Sequence, residues 1–96
     1  MNFMVRTSYP YHKFNEVNEL HDKTEARPHS VHTQGVFIRP ELNRGWESYA
    51  IYEVDEGKDT EFTEWINRIL NLFRGTEGFS AQIDTVMKAA RPTRSG

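Results

Sequence analysis

Residues Asn2 to Tyr9 alternate, with Phe3, Val5, Thr7 and Tyr9 on one side of an extended chain and Met4, Arg6 and Ser8 on the other. A period of two marks a strand with one buried face. Pro10 suits the first turn of a helix, where a missing N–H removes nothing. Phe14, Val17, Leu20 and His21 then draw a narrow apolar stripe that runs to about Thr24. Arg27-Pro28 ends that helix, because the residue before a proline is pushed out of helical geometry. Val31 to Arg39 is rich in β-branched and aromatic residues and predicts a second strand, closed by Pro40. Pro40 to Gly45 reads as a loop, and Trp46 to Asp55 as the returning strand of a hairpin with the turn Asp55 to Lys58 behind it.

The clearest periodicity follows. Phe62, Trp65, Ile66, Ile69, Leu70 and Phe73 step by three and one along a single helical stripe. Asp59 or Thr60 is placed to cap that helix, and Glu61 and Glu64 sit near its positive end. Arg74 suits the negative end, and Gly75 is a natural left-handed stop. Phe79 to Met87 alternates again, with Phe79, Ala81 and Ile83 against Gln82, Asp84 and Val86, and predicts a fourth strand.

The order β-α-β-β-α-β predicts an α+β fold of the ferredoxin-like kind, a four-stranded antiparallel sheet with two helices on one face. Two helices cover only one side of such a sheet. The first strand then offers Met4, Arg6 and Ser8 to the open side, and the fourth offers Gln82, Asp84 and Val86. Strand three divides into Trp46, Ala50, Tyr52 and Val54 against Tyr49, Ile51 and Glu53, and either set is apolar enough to be buried. In strand two, Val36 and Ile38 fall on the side opposite Val31 and Phe37. An open face carrying Met4, Val86 and rings from strand three is too apolar to be left in water. A second copy packed sheet against sheet is the simplest cover, so the expected partner is the chain itself, as a homodimer.

Three stretches carry a family likeness: the short opening strand Asn2-Phe3-Met4-Val5-Arg6, the Arg44-Gly45-Trp46 lead-in to strand three, and its acidic exit Ile51-Tyr52-Glu53-Val54-Asp55-Glu56-Gly57. Together with the element order over residues 2–88, they resemble small uncharacterised bacterial families of the dimeric α/β-barrel superfamily. The resemblance implies paired ferredoxin-like subunits. It also implies a range of possible uses, because the superfamily includes cofactor-free monooxygenases, chlorite- and haem-related enzymes and stress-responsive proteins. It assigns no catalytic residue here.

The 96 residues suffice for one domain, expected over 1–88, with a flexible basic tail over 89–96. Twelve basic against fourteen acidic residues leave a formal charge of -2, which gives no electrostatic basis for binding nucleic acid. No apolar run approaches the ~20 residues that span a bilayer, and the absence of cysteine fits a reducing cytoplasm. The six acids between Glu53 and Glu64 read as helix-terminus chemistry beside a solvated turn.

Four histidines, His12, His21, His29 and His32, lie close in sequence, but their spacings send them to different sides of their elements, so no metal or other cofactor is expected. Arg6 and Asp84 are expected to pair on the open face, with Glu53 near by. Tyr49 and Trp46, with Tyr52 and Tyr11, are candidate walls for a small organic ligand. The candidate ligand-binding residues are therefore Arg6, Tyr49, Glu53, Asp84, His32 and Trp46. The function expected is binding of a small organic molecule, or an interaction role. A cofactor-free oxygenase or isomerase working in the space between helices and sheet, using a histidine, and a haem-handling protein are the alternatives.

Overall fold

Alternation becomes strand and stripe becomes helix in the order expected. The computed structural model describes residues 1–87 and Ala89; the expected tail thus lies, Ala89 apart, outside the described residues. Strand β1 is Asn2–Pro10, helix α1 is Phe14–His21, β2 is Val31–Glu41 and β3 is Gly45–Val54. Helix α2 is Asp59–Phe73 and β4 is Ser80–Val86. The sheet runs β2-β3-β1-β4 with all neighbours antiparallel, which is the ferredoxin-like βαββαβ arrangement. The body measures 50 × 33 × 17 Å, two layers deep, so one side of the sheet carries no helix.

The core lies between that sheet and α2. Phe62 is fully buried and stacks on Phe3 with ring centroids 4.6 Å apart, and Trp65, Ile66 and Leu70 pack with Val5, Val31 and Val54. A second cluster joins Val17 of α1 to Tyr9 and Phe73. Register settles the side of β3 that the sequence left open. Tyr52, Ala50, Ser48 and Trp46 stand opposite Phe3, Val5, Thr7 and Tyr9, so they share the helix side, and Glu47, Tyr49, Ile51 and Glu53 share the bare side.

Several local expectations are corrected. Pro10 is the last residue of β1, extended at φ -63° and ψ 151° and paired with Gly45, and a single 3-10 turn, Tyr11–Lys13, precedes a short α1 that stops at His21. Pro40 does not close β2, which continues to Glu41; β2 is an edge strand, where a residue without an N–H removes no ladder bond. The hairpin turn is only Leu42 to Arg44, with Asn43 in the left-handed region at φ 68°.

Helix α2 has no side-chain cap: Lys58 holds the cap position, and Asp59 and Glu61 lie in the first turn. Gly75 does not supply a left-handed stop; the positive-φ glycines are Gly45, Gly57 and Gly78. Finally, β2 is bulged between Thr33 and Gly35. The extra residue shifts the alternation by one, so Val31, Val36 and Ile38 fall on one side and Phe37 on the other.

Candidate ligand-binding site

Five of the six residues singled out in the sequence share the bare side of the sheet. Arg6 stands opposite both Tyr49 and Gln82, Met4 opposite Ile51 and Asp84, and Glu53 opposite His32. Arg6 and Asp84 share this face but do not pair directly. Arg6 Nη2 donates to Gln82 Oε1 at 2.5 Å, and Gln82 Nε2 donates to Asp84 Oδ1 at 2.9 Å, so the amide stands between the two charges.

The other polar groups of this face are equally engaged. Gln34 donates to Glu53 at 3.0 Å, His32 Nε2 lies 2.9 Å from Asp55 Oδ1, and Tyr49 donates to Glu47, which also pairs with Arg39 at 3.4 Å. What remains is an apolar diagonal of Phe37, Tyr49, Ile51, Met4 and Val86, with Phe37 61% exposed. The polar side chains beside it are engaged with one another.

Trp46 is not part of it. It lies on the helix side, edge-on to Tyr11 at 5.5 Å and tilted against Phe14 at 5.8 Å, where it seals one end of the two-layer body. The expected set of Tyr49, Tyr52, Trp46 and Tyr11 is therefore split between two faces.

A shallow hollow of about 350 Å³ lies on the bare face around Met4, Gln34, Ile51 and Glu53, but the more apolar one is on the helix side. A cavity of about 200 Å³ opens between the sheet and the two helices. Its sheet wall is Val5, Thr7, Tyr9, Ser48, Ala50 and Tyr52; α1 contributes Val17 and His21, and α2 contributes Ile66, Ile69, Leu70 and Phe73. Phe79 and Val36 complete it. The cavity persists at the β2 side because α1 ends early: Val36 and Ile38 point to the helix side yet are 66% and 53% exposed.

Polar groups in this lining are few. Thr7 and Ser48, opposite one another in the β1–β3 register, hydrogen-bond hydroxyl to hydroxyl. His21 lies at the rim with its ring 5.0 Å from that of Phe73. Burial pushes the Tyr9 phenol above its ordinary pKa, and burial does the same for Tyr52, with the Arg27 guanidinium pulling partly the other way. Both phenols therefore stay neutral at ordinary pH.

Arg27, in the segment between α1 and β2, donates to Thr33 Oγ1, the residue opposite Tyr52. Among the described residues no three histidine, aspartate or glutamate side chains converge to hold a metal ion, and no helix is long and apolar enough to cross a membrane.

The sequence places most of these side chains on inward faces and allows for chemistry between helices and sheet, but none of the lining residues is among the candidate ligand-binding residues. Alternation places Thr7 on the helix side, and a hydroxyl among inward apolar residues is a faint sign of a polar wall. His21 stands on the apolar stripe of α1, but Ser48 and Arg27 give no comparable sign, since their placement depends on strand register and on where α1 stops. No family model, no curated protein and no solved structure matches this chain.

Proposed function

We propose that this protein binds a small, largely apolar organic molecule in the cavity between its helices and sheet, and does so as a homodimer joined through the bare sheet face. The single observation that carries the ligand is the cavity: nine apolar side chains, two tyrosines, one hydroxyl pair and one histidine around about 200 Å³. A cavity of roughly 150 Å³ accommodates a benzene-sized molecule, so the occupant is about one ring in size rather than a macrocycle such as haem. The apolar diagonal on the opposite face supports the dimer and the likeness to dimeric α/β-barrel proteins. Its rim of paired charges resembles the polar rim of an interface.

A titration with benzyl alcohol, followed by amide NMR, tests this. Saturable shifts are expected at Val17, Ala50 and Ile69, and Ala50→Leu, which fills the space, is expected to weaken them by roughly an order of magnitude. A weak response spread over the surface and unchanged by Ala50→Leu refutes the reading.

A catalytic use of the same cavity is the second reading. It is favoured by the presence of His21 and the neutral Tyr52 phenol in one lining, an imidazole and a proton donor. Its mark is conversion of a bound molecule that His21→Ala abolishes while binding persists.

A further inference from the structure

We propose that the occupant of this cavity is a small carboxylate, with its apolar body among Val17, Ala50 and Ile69 and its carboxylate held by Arg27 at the mouth. The inference rests on the ligand-binding reading and names the chemical class that reading leaves open.

Three observations point the same way. The first is an uncompensated cation. Among the described residues Arg68 pairs with Glu25 at 2.5 Å, Arg39 with Glu47 at 3.4 Å and Arg44 with Glu41 at 3.8 Å, whereas Arg27, Arg6 and Arg74 have no carboxylate within 4.0 Å. Of these three, Arg6 lies on the bare face bonded to Gln82 and Arg74 is bonded to Asn71 at the end of α2, which leaves Arg27 beside the helix side of β2. Glu25, its nearest acidic neighbour in sequence, is the group taken by Arg68.

The second is position. Arg27 is not itself a lining residue; it donates to Thr33, which stands opposite Tyr52 in register, and Tyr52 with Val36 lines the β2 end of the cavity. The third is the character of the wall, which contains no aspartate or glutamate. An anion entering from the mouth meets a guanidinium and a phenolic O–H, with no repelling charge in the lining.

The exposed position of Arg27 matters as well. A carboxylate drawn fully into an apolar cavity loses its hydration, at a cost that a single ion pair often fails to offset. At the mouth the head group keeps part of its water and still gains a charge-assisted, two-pronged contact with a guanidinium. An amphipathic acid with one ring or a short chain satisfies both requirements, and a neutral molecule of the same shape satisfies only the first.

The test compares benzoate with benzyl alcohol, two single-ring probes that differ in charge, by amide NMR titration of the full chain. Benzoate is expected to bind roughly tenfold more tightly than the alcohol, to shift Thr33 and Tyr52 in addition to Val17 and Ala50, and to lose affinity as salt is raised. Arg27→Gln is expected to erase that margin while leaving the alcohol unchanged, and Arg27→Lys to restore part of it.

Benzoate binding no tighter than the alcohol overturns the carboxylate assignment and leaves the cavity reading intact, as does a margin that survives in Arg27→Gln. Failure of both probes to saturate the wild-type cavity overturns the two together. Arg27 is exposed, so loss of fold does not confuse these outcomes.

Discussion

At the scale of single residues, what matters most is where polar atoms stand within apolar surroundings. Gly45 shows the steric version. Its backbone runs so close to β1 that a Cβ would overlap the Tyr9 carbonyl oxygen and crowd Pro10, and its φ of 156° suits glycine. Tyr52 shows the electrostatic version. A phenol whose folded pKa lies above the ordinary 10.0 keeps its proton after the unfolded chain has lost it. Its contribution to stability is therefore complete below that value and is lost as pH rises from there through the folded pKa. Urea denaturation at about pH 9 and about pH 11 should show the wild type losing more stability than Tyr52→Phe over this interval. Equal losses in the two proteins would show that Tyr52 is not responsible.

At the scale of elements, α2 holds the fold and β2 shapes its edge. The stripe of α2 buries Phe62, Trp65, Ile66, Leu70 and Phe73 against the sheet, while Leu72 on the same helix is 40% exposed. Phe62→Ala should cost about 3–5 kcal/mol by urea denaturation, a large part of the 5–15 kcal/mol available to a domain of this kind. Leu72→Ala should cost less than about 1 kcal/mol. Similar losses at both positions would mean that the helix packs differently.

In β2, the bulge at Thr33/Gly35 directs Val36 to the cavity and Phe37 to the bare face. The same bulge, with Arg39 and Pro40, makes an exposed edge strand a poor template for another chain.

At the scale of the molecule, the two faces of one sheet differ in character. One borders an open cavity under two helices, and the other presents the diagonal of Phe37, Tyr49, Ile51, Met4 and Val86 with its neighbouring charges hydrogen-bonded. If a second copy covers that diagonal, sedimentation should give twice the chain mass, and Ile51→Lys should reduce it to one chain without unfolding. Ile51 is partly exposed within one chain, so a lysine there can carry its ammonium to water in the single chain and loses that water in the covered state. A single-chain mass for the wild type at high concentration would refute the dimer.

Sequence alone determined the element order, the helix-side faces of β1 and β4, and the stripe of α2, because periods of two and of about 3.6 are local properties of the chain. Phe3 and Val5 on one side and Met4 and Arg6 on the other needed no knowledge of their partners. The tertiary structure decided the rest. Strand three is apolar on both sides, so only its register with β1 assigned Tyr49 outward and Tyr52 inward. The bulge in β2 shifted an alternation that sequence reads as unbroken. The meeting of His21, Tyr52, Thr7 and Ser48 around one cavity depends on contacts between residues far apart in the chain, and such contacts leave no periodic trace in the local pattern.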